Sequence, residues 1–358
     1  MKTSRNKLSN LNKTVTNLNR INVNDLNILL NPNAQGGNTG KSWVETYNKV
    51  KDFLPKAHRI IFTKKASDGI LITRKLLRKG YKNIVAVGGD GTINEVANGF
   101  FNIKSQNIDN GKFKLDSRLK PINPKGIMYV IPSGSRNVLA RSLELKHQGA
   151  ESLMRIRHMK RRKIDVIAAT ITDKETPSLT HNRIVLNAAE IGVGAEIIDR
   201  SKKVRGKVKN RFVSTMTSII ATLPSYISNE CYIVMDKHRK ISSKMTMGIV
   251  ANGRFLGGGF KAASRAKFSD GLLDLIILKN SGSFKMIDKL VELKGTSTYK
   301  YEEDILYYQA SEVKFVPKER DVTITVSVDG EPIGILPAIF KIYHNALTIK
   351  SEAPSARI

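Results

Sequence analysis

Residues Asn83–Thr92 read NIVAVGGDGT. An apolar run ends directly in Gly88-Gly89-Asp90-Gly91-Thr92, and helical spacing follows over Thr92–Phe101. That order predicts a buried strand, a tight turn and the first turn of a helix. Glycines let the backbone come close to a ligand. Successive N–H groups at the mouth of a helix form a cradle for an anion. Asp90 adds a carboxylate beside the cradle, useful where a metal ion or a reacting hydroxyl must be oriented against phosphate. The plain alternative is an ordinary glycine-rich strand-to-helix turn.

Working outward, the same rhythm repeats. Leu26–Leu30 is a short apolar run stopped by Asn31-Pro32, with Gly36, Gly37 and Gly40 beyond it and helical spacing over Ser42–Phe53. Arg59–Thr63 reads as a strand, and Asp68–Lys79 as a helix with Ile70, Leu71, Leu76 and Leu77 on its apolar side. Gly126–Ile131 is a further strand, followed by Pro132, Gly134 and a helix from about Asn137. Strands alternating with helices imply a mostly parallel sheet. The ligand site of such a sheet lies at the carboxyl ends of its strands. Residues Asn102–Pro124, rich in Lys, Asn and Asp, break the rhythm and are expected to be a surface insertion.

After about Ile164 the pattern changes. Asp165–Ile171, Arg183–Ala189, Cys231–Met235, Met245–Ala251, Leu273–Leu278, Glu312–Phe315, Val322–Val328 and Ile339–Tyr343 read as strands, rich in Val, Ile and Thr. Helices are expected at Asn210–Leu223 and Ser283–Leu293. Many strands with few helices predict a β-sandwich-like second domain.

The chain has 358 residues, enough for two domains, and 41% hydrophobic residues, enough for a core. Cys231 is the only cysteine, so no internal disulfide forms and packing must hold the fold, as in a reducing cytoplasm. No apolar run approaches the ~20 residues needed to cross a bilayer. The stretch 1–24 lacks the apolar centre of a signal peptide and is expected to be a flexible basic extension. The formal net charge is +29, with clusters at Lys160–Lys163, Lys202–Arg211 and Lys237–Lys244. Such a charge draws polyanions of several kinds, or simply solvates the surface, and by itself chooses none. Phe212–Leu223, apolar behind a basic run, is either an amphipathic element meeting anionic headgroups or a core helix with a solvated flank. The six histidines show no metal-ligand spacing.

Gly88–Thr92 with Asn94-Glu95 resembles the signature of the catalytic domain of diacylglycerol, sphingosine and ceramide kinases. Asn31-Pro32 with Ala34, Gly36 and Gly37 is similar to that family's first nucleotide loop. Thr63 stands where the family has a nucleotide-contacting threonine. Pro132–Arg141 (PSGSRNVLAR) is similar to its Pro-x-Gly-Thr/Ser-x-Asn segment. Asn252 with Gly257–Gly259, Asp270-Gly271-Leu272-Leu273-Asp274 and Asp329-Gly330-Glu331 resemble the motifs of its second half. The order agrees over roughly Leu26 to Ile349.

The resemblance implies a Rossmann-like α/β domain of the NAD kinase/phosphofructokinase kind over 25–164, with a C-terminal segment of about 345–358 returning to it. A β-sandwich follows over 165–344, with the active site in the cleft between the two. It implies a kinase that moves the γ-phosphate of ATP to a hydroxyl of a membrane lipid, diacylglycerol first, or a related glycerolipid or sphingoid lipid. An NAD kinase shares the Gly-Gly-Asp-Gly-Thr loop and is the rival. Its Gly-x-Asn-x-Gly segment is not found. A non-catalytic binder would have lost the motif carboxylates, which are present.

By resemblance, Asn31, Gly36, Gly37, Thr63, Gly88, Gly89, Asp90, Gly91, Thr92, Glu95, Ser135 and Asn137 would surround ATP. Asp329 would be the general base, Glu331 its companion, and Asp90 would serve the metal and phosphate network or be the base itself. Mg²⁺ is implied with ATP, and a structural Mg²⁺ at Asp270 with backbone carbonyls near Lys267 and Leu272. Lys41, Arg136 and Lys261 are candidate cations of the cleft. Departures from the family are Val138, Ser264 and Arg136, the last a bulky cation inside the nucleotide loop. The expected setting is cytoplasmic, at the inner face of the membrane, against an anionic surface and without nucleic acid. A homodimer is compatible.

Overall fold

The computed structural model describes residues 24–103, 106–107, 119–204, 221–222, 225–257, 260–280 and 304–352. The expected extension before residue 24, the helix at Ser283–Leu293, the glycines Gly258 and Gly259 and nearly all of Asn210–Leu223 lie outside them.

The first half alternates as its sequence predicts. Strands β1 (Leu26–Leu30), β2 (His58–Phe62), β3 (Asn83–Gly88) and β5 (Ile127–Pro132) are parallel and lie in the order β2-β1-β3-β5. Between β3 and β5 a two-residue strand, β4 (Gln106–Asn107), pairs with the second half rather than with these four strands. Helices α1 (Asn38–Lys41), α2 (Trp43–Val50), α3 (Asp68–Arg78), α4 (Asp90–Gly99), α5 (Val138–Ser142) and α6 (Gly149–Met154) fill the connections. The inner strands β1, β3 and β5 are mostly apolar because both faces are covered, while the edge strand β2 is half-buried and carries His58 and Arg59. Leu29, Ile84, Ala86, Met128 and Val130 pack with Val96, Ala97 and Phe100 on one side. Ile28, Leu30, Val85, Val87 and Ile131 pack with Trp43, Val50 and Leu153 on the other.

The second half is built from long antiparallel strands: β6 (Lys160–Thr172), β7 (Leu179–Val185), β8 (Ala188–Gly192), β9 (Asn229–Met235), β10 (Arg239–Ala251), β11 (Leu273–Lys279), β12 (Ile305–Ala310), β13 (Glu312–Pro317), β14 (Thr325–Val328) and β15 (Glu331–Ser351). They curl around a core of Ile167, Ile191, Ile233, Leu275, Phe315, Val326 and Phe340. One helix, α7 (Val193–Val204), follows β8.

β15 joins the halves. It pairs with β6 from Ile335↔Thr172 to Ser351↔Lys160, and its end pairs parallel with β5 at Ile349↔Met128 and Lys350↔Tyr129. β6 runs unbroken through residues 164 and 165. The sheet of the first half therefore continues into the second without an intervening linker.

Several expectations shift. The helix after Gly89 begins at Asp90, two residues before Thr92, and so takes Asp90 into its first turn. Ile70, Leu76 and Leu77 of the helix α3 are buried as expected, but Leu71 is 59% exposed, and Thr73 is buried in addition, with Gly99 packed against it without room for a side chain. Arg183–Ala189 is not one strand. The chain leaves β7 after Val185 and resumes at Ala188, freeing the amides between them for another partner. The 102–124 stretch is not wholly apart from the sheet. β4 pairs with Leu179 and Thr180, and Phe101 bridges Pro121. α7 and β12 were not expected.

Asp165 is fully buried at the junction. Its carboxylate accepts Gly271 N–H at 2.7 Å and Asn345 N–H at 2.6 Å, with His344 Nδ1 at 3.0 Å. Asp165→Ala leaves two amides inside without an acceptor, and the expected loss is about 3 kcal/mol, read as a lower denaturant midpoint with an unchanged slope.

Candidate active site

A cavity of about 420 Å³ opens where the two halves meet, at the carboxyl ends of β1, β2, β3 and β5. Its walls come from the loops after these four strands, from the β7–β8 break with β8 itself, and from the β14–β15 hairpin.

The glycine loop works through close approach. A Cβ on Gly134 would lie 2.3 Å from the Gly89 Cα, so two backbone segments touch where any side chain would separate them. Gly88 is pressed against Thr92, whose hydroxyl accepts from Asn31 Nδ2 at 3.2 Å. Asn137, in the left-handed region at φ 49°, closes its own loop with Gly134 in both directions, at 2.9 and 3.0 Å. Asp90 Oδ1 accepts Leu139 N–H at 3.1 Å. Glu95 accepts Ser67 and Gly69 N–H at 2.8 and 2.9 Å, fixing the loop after β2 to α4. Burial raises the Glu95 carboxyl above its ordinary value, and the negative charge of Glu331 adds to that.

From the other side comes the hairpin. Asp329 and Gly330 take φ 46° and 82° between the paired residues Val328 and Glu331, so the Asp-Gly pair is a two-residue turn and a site element at once. The Asp329 carboxylate holds four donors. Oδ2 accepts Asn94 Nδ2 at 2.6 Å and Leu186 N–H at 2.8 Å, and Oδ1 accepts Asn187 and Ala188 N–H at 2.9 and 3.1 Å. These are the amides freed by the β7–β8 break. Four lone-pair sites are thereby used. Burial pushes this carboxyl up to about 6, against the pull of the four donors. Glu331 is exposed, and its Oε1 stands 3.0 Å from where a Gly91 side chain would begin.

Of the residues expected around a nucleotide, Asn31, Thr63, Gly89, Asp90, Gly91, Thr92, Glu95 and Ser135 line the cavity, together with Asp329 and Glu331. Gly88 and Asn137 shape the loops from behind. Gly36 and Gly37 turn the chain at φ 68° and 90° outside the cavity wall. Arg136 is in the wall, its guanidinium over Gly257 and Gly330, whereas Lys41 and Lys261 are not.

The stretch around Asp270 is separate. Asp270 is exposed and accepts Leu272 N–H at 3.1 Å, and Lys267 is exposed too. Asp165 is committed as described, and the buried Asp274 accepts from Tyr307. Among the described residues no group of three His, Cys, Asp or Glu gathers to hold a metal ion. Asp270 is the exposed carboxylate of the expected Mg²⁺ set, whose other oxygens would be backbone carbonyls near Lys267 and Leu272.

Glu190, in mid β8, went unnoticed in the sequence. It is 7% exposed and lines the cavity. Burial pushes its carboxyl to about 7, with the charge of Arg136 and the Ser327 hydroxyl opposing and Asp329 adding to the rise. Its signal was a charge breaking the apolar run Ala188-Ala189-Glu190-Ile191. Because the folded carboxyl binds its proton more tightly than the unfolded one, stability falls as pH rises from about 4.5 to about 7 and levels off above. Glu190→Gln loses this contribution to the slope and keeps that of Asp329. Relative to wild type it is expected to gain about 3 kcal/mol between pH 5 and pH 8, measured by urea denaturation at each pH. Parallel curves for the two proteins would disprove the assignment.

Residues 25–169 match the model of the diacylglycerol kinase catalytic domain, and residues 187–351 that of the YegS C-terminal NAD kinase beta sandwich-like domain. The chain is 24% identical over 274 residues to a "Probable lipid kinase YegS-like" of Chromohalobacter salexigens, covering 75% of this chain and 76% of that protein. It is 24% identical over 277 residues to a diacylglycerol kinase of Bacillus subtilis, covering 77% and 79%. A crystal structure of a diacylglycerol kinase from Bacillus anthracis superposes with a TM-score of 0.62 at 18% identity, covering 92% of this chain and 97% of that one, a likeness of fold. With both domain models matched in order on either side of the cleft, the chain belongs to the diacylglycerol kinase catalytic-domain superfamily of lipid kinases.

Proposed function

We propose that the protein transfers the γ-phosphoryl group of ATP to a hydroxyl of a membrane lipid of the glycerolipid or sphingoid class. The observation that carries this reading is the meeting of the Gly88–Thr92 loop at the N-terminus of α4 with the Asp329-Gly330-Glu331 hairpin across one cavity. The loop side offers backbone N–H groups and a helix dipole to phosphate. The hairpin side offers carboxylates to an incoming hydroxyl.

A lipid hydroxyl is a weak nucleophile at neutral pH, and a carboxylate within reach takes its proton as the bond to phosphorus forms. Asp329 first fits that role by resemblance, but its four donors occupy it. Glu331, exposed and facing Gly91, is the carboxylate we assign to the proton, and Asp329 is the group that positions it. Asp90 commits one oxygen to Leu139, and a Mg²⁺ carried by ATP phosphates needs only one or two protein carboxylates. Asp90 would hold such an ion, which neutralises phosphoryl charge when bound.

No helix among the described residues is long and apolar enough to cross a membrane. The lipid would be reached at a bilayer surface. The formal charge of +29 and the exposed Arg161, Lys163, Lys240 and Lys244 support an anionic one. Co-sedimentation with phosphatidylglycerol vesicles, weakening from low to high salt and absent with phosphatidylcholine, is expected. Equal binding to both vesicles would refute an electrostatic contact.

Labelled ATP with Mg²⁺ and mixed micelles, run beside NAD as acceptor, tests the reaction. Label is expected in the organic phase. Glu331→Gln is expected to lower kcat about 100-fold or more with the fold intact, whereas Asp329→Asn, which turns an acceptor into a donor facing amides, loses stability along with activity. Label entering NAD alone would overturn the lipid reading.

A further inference from the structure

The sheet of the second half has a face that its core does not use. On β9, Cys231, Ile233 and Met235 enter the sandwich core, and on β13 Val313 and Phe315 do the same. The residues between them turn the other way, because successive side chains of a strand alternate. Strand register sets these residues in three rows across β10, β9 and β13. Lys244 lies beside Glu230 and then Lys318, Ser242 beside Tyr232 and Val316, and Lys240 beside Val234 and Lys314. Tyr232, Val234 and Val316 are half-buried, while Lys240, Ser242, Lys244 and Lys318 are exposed. An apolar strip thus runs between lysines of β10 and lysines of β13. Lys240 Nζ rests 4.3 Å from the centre of the Tyr232 ring. Glu230, the carboxylate of these rows, accepts from Lys318 at 2.8 Å and from Ser242 at 2.7 Å.

The face is continuous with one wall of the cavity. A bulge between Met245 and Met247 keeps Lys240, Ser242 and Lys244 on the side of β10 where Met247, Ile249 and Ala251 pack with Val193 and Ile197 of α7 and with Leu256. Leu256 and Ile198 of α7 line the cavity. Ile227, two residues before β9 and beyond the Lys244 end of the rows, is 77% exposed, and its neighbour Tyr226 packs against the same α7 cluster.

A tyrosine and aliphatic side chains flanked by lysines suit the boundary between lipid headgroups and acyl chains. The ammonium groups stay at the phosphates while their stems and the apolar strip enter. Four lysines against one carboxylate complement an anionic surface and repel a second copy of the same face. The basic ladder of β6 and β15 is different in kind. Its rows set Arg161 beside Lys350 and Lys163 beside Thr348, charge without an apolar strip.

We infer that the open face of β9, β10 and β13, with Ile227 at its edge, docks the protein on an anionic lipid bilayer. This rests on the lipid kinase reading above and gives its membrane contact a place, on the side of β10 that also walls the cavity.

The test uses the full chain and co-sedimentation with phosphatidylglycerol vesicles. Lys240→Ala combined with Lys244→Ala is expected to weaken binding about 30-fold, and Ile227→Ser alone about 10-fold. Arg161→Ala combined with Lys163→Ala is expected to leave it nearly unchanged. With labelled ATP, the Lys240/Lys244 variant is expected to lose kcat/KM on the vesicle-borne lipid and to keep it on a short-chain form of that lipid dissolved as monomers. Unchanged vesicle binding in the Lys240/Lys244 variant overturns the inference, as does an equal loss in the Arg161/Lys163 variant, the mark of diffuse charge. Binding to a DNA duplex as tight as to the vesicles, and lost in the same variant, assigns the face to nucleic acid and overturns it too. Lost activity on the dissolved lipid marks a structural role and does the same. Each of these results leaves the lipid kinase standing. Label on no lipid with wild type overturns the kinase reading instead, while the vesicle measurements still decide the docking face.

Discussion

The Asp329 carboxylate is the point on which the two halves of the molecule depend. It belongs to the hairpin of the second half, yet it accepts from Asn94 of α4 in the first and from three consecutive amides at the β7–β8 break. Asn94 Nδ2 also donates to Ile184 O at 2.8 Å, so one side chain ties α4 to both β7 and the hairpin. Asn98 continues the seam, exchanging bonds with the Ile184 amide and carbonyl at 2.8 and 3.2 Å. A buried carboxylate is tolerated only when its lone pairs are met. Here meeting them requires the strand break, the helix and the turn to be in one arrangement, and that arrangement is the cleft.

Glycine sets how narrow the cleft is. The contact between Gly89 and Gly134 brings the loops after β3 and β5 together, and Gly91 leaves the room that Glu331 uses. The same device recurs at Gly253, where a Cβ would lie 2.2 Å from Asn187 Oδ1. Asn187 is itself bonded to Ser142 at 2.7 Å and to Phe255 O at 2.6 Å. Backbone approach of this kind holds loops together without large side chains.

Much of this was legible in the chain. The inner parallel strands of the first half are mostly apolar runs because helices cover both faces, and such runs stand out wherever they end in glycine. The Gly88–Thr92 loop could be read as a phosphate cradle from composition and position, and the Asp-Gly at 329–330 as a hairpin turn from the dihedral preference of that pair. The long second-half strands were harder. Their buried and exposed positions change sides along β10 and β15, so their limits and the separate identity of β7 and β8 did not show. Leu71 was assigned to the core by its type, although the helix turns it outward and Thr73 inward.

The sequence by itself determined that the chain has an α/β half followed by a β-rich half, where the glycine loop at the helix mouth lies, and which carboxylates are available. These follow from local rules: hydrophobic period, glycine conformation and turn chemistry act within a few residues. Only the tertiary structure decided what each carboxylate does. Asp329 and Glu331 are two residues apart and alike in charge, yet one is buried under four donors and the other is left exposed across from Gly91. Glu190 is an ordinary glutamate until β8, β10 and β14 close around it. Burial and hydrogen-bond satisfaction are set by residues far away in the chain, and they fix whether a carboxylate is anchored or left open to the cavity.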